Sequence, residues 1–316
     1  MRRTFGYVLV SIGLLLVFLA PLSRLYILPR VKKLPTDYYY RAVSDGTGSY
    51  LSPSARFKVI GPVKLQDVHV VKGDVDSSSA DVAVWDSFDS TFDVENGHQL
   101  SVAVDRYTFD RKTALSVDCC GQNENRTGNL TLLFPIGAEK RSYPFWDSTA
   151  GQAFPMDYQG KEELAGLTVY RYHQHGGPIV INHLKLGGKL VGSPEPQVDL
   201  DWWYVVDTDV WVEPLTGAII KGSQKADQWL ALGGERKLTI ATTDFTQSDA
   251  TVQGIADFVK PHRDQLVIVQ FYLPVFGPFA ALALVVTGLL LLARGSPAGR
   301  NVATVPTQVA TRSAAT

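Results

Sequence analysis

Cysteine is nearly absent: the 316-residue chain holds 2, Cys119 and Cys120, adjacent in sequence. Two cysteines exclude a multi-bridge disulfide framework. Neighbouring side chains on an extended chain point opposite ways, so the pair is no ready metal site. The choices left are a vicinal disulfide, which an oxidising compartment permits, or two free thiols.

Acidic residues are missing from both ends. None of the 31 Asp and Glu lies before Arg24 or after Gln265. The ends carry only Arg2, Arg3, Arg294, Arg300 and Arg312, which leaves 25 basic against 31 acidic residues between them, about −6 with histidine neutral. A mildly acidic middle supplies no basic face for nucleic acid, so that partner class is excluded. Catalytic signatures are lacking too: Gly-x-Ser-x-Gly, Ser-x-x-Lys and His-Glu-x-x-His do not occur. No cofactor is expected.

Two apolar runs stand out instead. Phe5 to Leu22 is uncharged, preceded by Arg2 and Arg3, and its bulky residues before Ala20-Pro21 favour an uncleaved anchor over a signal peptide. Leu266 to Ala293 has one polar side chain of Gln or Asn type, Gln270, and is long enough to cross a hydrocarbon core with tilt. Pro274, Gly277 and Pro278 are expected to kink it. The expected organisation is a cytoplasmic N-terminus at 1–4, a membrane helix at 5–23, an extracytoplasmic β-rich domain at 24–265, a second membrane helix at 266–293, and a disordered cytoplasmic tail at 294–316. Both termini are placed inside by the positive-inside tendency; Arg24, Arg30, Lys32 and Lys33 pull the other way, but long domains translocate largely regardless of charge.

The middle alternates with a period of two. Phe57, Val59, Val63, Leu65, Val68, Val70, Val82 and Val84 interleave with polar neighbours, and Val102 to Phe109 continues the pattern. Leu130 to Phe134, Leu167 to Tyr172, Trp202 to Val212 and Ala218 to Ser223 read as further strands, the last two joined by a turn over Glu213-Pro214-Leu215-Thr216-Gly217. Val252, Ile255, Ala256, Phe258 and Val259 keep helical spacing up to Pro261, where the helix is expected to break or kink. The fold class expected is a mainly β ectodomain, antiparallel barrel or sandwich-like, with flanking transmembrane helices.

Several stretches together resemble one family: Asp105 to Ala114, the Ser142-Tyr143-Pro144-Phe145-Trp146-Asp147 loop, Val210 to Gly217, and an apolar run at each end. Their order and spacing are similar to the actinobacterial porin PorA family, over nearly the whole chain, with no established site residues to carry over. The layout of span, β-rich ectodomain and span is also similar to that of class B scavenger receptors, which implies lipid passage. Outer-membrane channels are closed barrels without Leu-rich helices, so these residues weigh against a pore. The expectation is therefore a membrane-anchored cell-envelope protein that binds or transfers a lipid or lipid-linked glycan. An envelope enzyme modifying glycan or lipid, and a structural or assembly partner of other envelope proteins, stand as alternatives.

The candidate ligand-binding residues are Tyr143, Phe145, Trp146, Trp202 and Trp203, which suit an apolar or sugar-binding cleft and equally suit a core. His173 and His175 share a strand face, but without cysteine or a required carboxylate beside them no metal is expected. Asp199, Asp201, Asp207 and Asp209 alternate with Trp203, Val205 and Trp211 and read as a solvated strand face.

Overall fold

The computed structural model describes residues 2–294, and these fall into two compact units, one of 2–27 with 268–294 and one of 28–267. In the first unit, helix α1 (Arg2–Leu22) passes into a π-turn (Ser23–Ile27); a second π-turn (Ile268–Tyr272) leads into helix α4 (Leu273–Ala293). The two helices pack antiparallel on glycine. A Cβ on Gly13 would sit 2.6 Å from Val285 Cγ2, and one on Gly288 would sit 2.7 Å from Val10 Cγ2. Small residues of this kind let two apolar helices approach closely where no hydrophobic force draws them together. Their other faces expose large side chains such as Phe18 and Phe279. Both helices are long and apolar enough to cross a membrane, by length and composition.

The second unit is one antiparallel sheet. After the short helix α2 (Leu28–Val31) come β1 (Tyr39–Ser52), β2 (Lys58–Gly73), β3 (Val82–Asp93), β4 (Gln99–Asp110), β5 (Tyr143–Asp147), β6 (Gln152–Leu164), β7 (Leu167–Leu186), β8 (Val198–Val212), β9 (Ile219–Leu232), β10 (Glu235–Gln247) and α3 (Asp249–Val267). The order across the sheet is β4-β3-β2-β1-β10-β9-β8-β7-β6-β5. Only β1 and β10 are neighbours by long-range pairing, with Ser44 opposite Gln247 and Tyr50 opposite Ala241; every other neighbour is a hairpin. The sheet curls into a half-barrel, and the segment between β4 and β5 links its two edges. Val117 N donates to Thr108 O on β4 at 3.0 Å, Ser116 N to Asn129 O at 2.9 Å, and Leu130 N to Pro144 O on β5 at 2.8 Å. Few edge groups are then left unpaired at that end, as a buried sheet edge requires.

Helix α3 covers part of the outer face. Its Val252, Ile255, Ala256 and Val259 pack on Leu167, Val169 and Ile220. The expected break at Pro261 does not occur, since the helix continues to Val267. A proline removes one donor and crowds the preceding turn; His262 Nδ1 donates to the Phe258 carbonyl there at 2.8 Å. The strand expected over Leu130 to Phe134 is also corrected. Only Leu130 bridges β5, because Phe134 turns inward and its N–H donates to Gly217 O at 2.9 Å. Of the expected tail, 295–316 lies outside the described residues.

Candidate functional site

Along the inward face of several strands the chemistry changes at the same level. On β3 it reads Trp85, Ser87, Asp89, Thr91; on β2, Val71, His69, Asp67; on β8, Val212, Val210, Thr208. The apolar ends meet in one core with Phe109, Leu130, Phe134, Tyr143, Met156 and Tyr172. Trp85 stacks on Tyr38 at 4.3 Å and meets Phe109 edge-on at 4.7 Å, while Phe134 lies 4.6 Å from Tyr172. This end of the half-barrel is filled.

Beyond it the interior is a polar cup with a volume of about 640 Å³. Ser44, Asp67, His69, Asp89, Thr208 and Gln224 are among its walls, contributed by β1, β2, β3, β8 and β9. Tyr204 marks the boundary with the core: its hydroxyl donates to Asp147 Oδ2 at 3.0 Å, and burial pushes the Asp147 carboxyl above the usual range. In the wall, Thr91 Oγ1 donates to Asp67 Oδ1 at 3.0 Å, and His69 Nε2 lies 3.0 Å from Ser87 Oγ. Burial raises the pKa of Asp67 and, with Asp67 beside it, pushes Asp89 up to about 7. Burial pushes the His69 imidazole down to about 4, which keeps it neutral near pH 7. The lining is mixed, with Leu51, Leu65, Leu100, Ile240 and Phe245 beside the hydroxyls, amides and carboxyls, and an acyl chain filling it would leave those polar groups without partners.

The outer face of the sheet over β7 to β10 is charged. His175 Nδ1 lies 2.7 Å from Asp207 Oδ1, Arg171 pairs with Asp209 at 2.9 Å, Lys225 with Asp244 at 2.9 Å, and Arg236 with Asp227 at 2.6 Å. Over β2 to β4 the same face is apolar: Val70, Phe88 and Val104 stand in register, and Phe88, Val102 and Val104 are exposed.

Five aromatic residues singled out in the sequence do not converge. Tyr143 is buried in the main core and Phe145 packs against it. Trp146 Nε1 donates to Glu124 at 3.3 Å. Trp202 joins a separate aliphatic cluster with Leu200 and Leu230, and Trp203 stacks on Trp229. None of the five lines the cup. The residues that do line it were passed over because polar side chains on a strand look alike whether they face solvent or an interior. The one available signal was that Asp67, His69, Ser87 and Asp89 sit in phase with the apolar inward positions. Cys119 and Cys120 are joined by a disulfide in the segment that links the sheet edges. His173 and His175 face Asp207 and Asp209 on the outer surface, and no group of His, Cys, Asp and Glu among the described residues is arranged to hold a metal ion.

Fold and site together define a class: a helix-anchored β half-barrel enclosing a polar cavity. The chain belongs to the family described as porin PorA, whose model matches residues 5–290. A protein named porin PorA from Corynebacterium amycolatum is 23% identical over 326 residues, covering 80% of this chain and 84% of that protein. Another porin PorA, from Corynebacterium resistens, is 27% identical over 196 residues, 41% of this chain and 47% of its own length. The expectation of a lipid-binding or lipid-transferring protein, with a pore thought unlikely, is overturned by this membership. The error was to equate a porin with a lipid-embedded barrel. The helices counted against a pore only on that assumption, and the cavity found carries half-buried carboxyls that an acyl chain cannot satisfy.

Proposed function

We propose that this chain is a porin of the cell envelope whose sheet interior takes up small hydrophilic solutes, with α1 and α4 spanning the bilayer and both ends on the cytoplasmic side. The observation that carries the reading is the polar cup of about 640 Å³ within the half-barrel. Family membership and the relatives' shared name support it independently. The packed aromatic core fills the other end of the same interior. A solute path through one chain's sheet therefore requires that core to move, and a path through an assembly of chains does not.

The test is conductance of the purified full chain in planar bilayers. Discrete current steps are expected, and Gln224→Trp with Thr243→Trp, which put bulk on β9 and β10 in the cup, should reduce them. Absence of steps from a preparation that inserts both helices would overturn the reading. Steps indifferent to both tryptophans would remove the cup from the path. Reporter fusions following Lys72 and Arg294 should report opposite sides of the membrane, and a common side would overturn the topology.

A further inference from the structure

The residues lining the cup include no lysine and no arginine. Its charged and titratable members, beside tyrosine, are Asp67, Asp89, His69 and His98. In the β2–β3 ladder Asp67 stands opposite Thr91 and Asp89 opposite His69, so the two carboxyls lie diagonally across the strand pair. Burial and the neighbouring Asp67 carboxyl both disfavour ionisation of Asp89, and burial does the same for Asp67.

The groups packed around the pair supply no compensating charge. On β1, Ser44 stands opposite Asp67; on β4, Ala103 stands opposite Asp89, with Asp105 opposite Ser87 one position along. Asp105 is already held by the buried Arg126 at 2.9 Å, and its charge opposes ionisation of Asp89. The remaining walls offer Thr208, Gln224, Gln247 and the hydroxyl of Tyr204. When Asp89 ionises, the cup gains a negative charge with no lysine or arginine among its lining residues. Low-dielectric walls focus such a field on whatever enters.

We propose that Asp67 and Asp89 are the specificity-determining pair of the cup, favouring small cations over anions. The inference rests on the reading that the cup takes up hydrophilic solutes. It deepens that reading by naming the solute class. Near neutral pH, where Asp89 changes charge, entry of cations strengthens as pH rises.

The experiment uses the detergent-solubilised full chain carrying Gln224→Cys as a reporter in the cup. His98→Gln is added so that its imidazole plays no part. The native cysteines are joined to each other and do not compete. Two thiol reagents of equal size are used, one a trimethylammonium and one a sulfonate methanethiosulfonate. The ratio of their rates cancels the reactivity of the thiol itself. It should favour the cation and rise roughly fourfold from about pH 6 to 8.5, as expected for one added charge ~10 Å away in a watery cup. Asp67→Asn with Asp89→Asn, which keeps shape and hydrogen bonding, should abolish the rise. A ratio flat with pH in the parent, or a rise that survives the double asparagine change, would overturn the pair's role. If neither reagent reaches the cysteine, the solute-uptake reading itself fails and this inference falls with it.

Discussion

The two ends of the half-barrel interior are built from the same strands by the same alternation, yet one is packed and the other is hollow. Each strand carries large apolar side chains at one end of its inward face and short polar ones at the other. Trp85 and Asp89 are separated by only three residues of β3, but the first is 2% exposed within an aromatic cluster and the second lines water-accessible space. The comparison teaches that the packed end supplies cohesion while the hollow end is free to be chosen for chemistry. Burial of rings and aliphatic chains stabilises in proportion to area removed from water, and a polar-lined cavity contributes little of that.

The sharpest way to break the comparison is to empty the packed end. Phe134 is fully buried against Tyr143, Phe145 and Tyr172, so Phe134→Ala should lower the unfolding free energy by about 3–5 kcal/mol in denaturant titration. A cost under about 1 kcal/mol would mean that this end is not the cohesive one.

Arg126 tests the linkage between the sheet edges. It is fully buried, pairs with Asp105 at 2.9 Å and Glu124 at 3.0 Å, and lies 4.4 Å above the Tyr107 ring. Arg126→Ala removes a fully buried side chain and its contacts, while the carboxylates it leaves are partly exposed, so the cost should be about 2 kcal/mol. Amide exchange should speed up at Ser116 and Leu130, whose backbone bonds join the two edges. Unchanged protection at both would place Arg126 outside that linkage.

In the hollow end, the expected effect is smaller and depends on pH. The folded-state pKa of Asp89 lies above its ordinary value of 3.8, at about 7, so the folded chain holds the proton more tightly than the unfolded one. That stability is fully present below about pH 4 and is lost as pH rises towards 7, with no further change above. Discounting for its partial exposure, the wild type should lose about 1–2 kcal/mol relative to Asp89→Asn over that window. Parallel curves for the two proteins would contradict the raised affinity of Asp89 for its proton.

The smallest effect is expected at Gln224, whose amide reaches only Thr208 Oγ1, at 3.3 Å on the cup wall. Gln224→Ala should change stability by less than about 0.5 kcal/mol. A loss comparable to that of Phe134→Ala would erase the distinction between the two ends.

Much of the architecture was legible in the residues. The two apolar runs, the period-two alternation from Phe57 onward and the Glu213 to Gly217 turn all depend on neighbours in sequence, and the structure places helices, strands and that turn there. Glu213 itself shows why: its carboxylate accepts from Thr216 N at 2.8 Å, a bond closed within three residues. Pro261 does not end the helix, since a proline disfavours a helix locally and the turns on either side continue it.

The site was not legible, for a different reason. Alternation assigns Asp67, His69 and Asp89 to one face of a strand, and a polar residue on a strand reads by default as a solvent face. Whether that face meets bulk water or an interior depends on β1 pairing with β10 and on the edges being linked through Ser116 and Leu130, contacts between residues far apart in the chain. The aromatic residues pose the mirror question: Tyr143 and Trp202 suit a cleft or a core equally, and only tertiary packing assigned them to separate clusters. The sequence by itself determined the elements, their amphipathic faces and the family. Closure of the sheet alone decided which faces enclose a cavity, because a cavity is a relation among strands and no single strand encodes it.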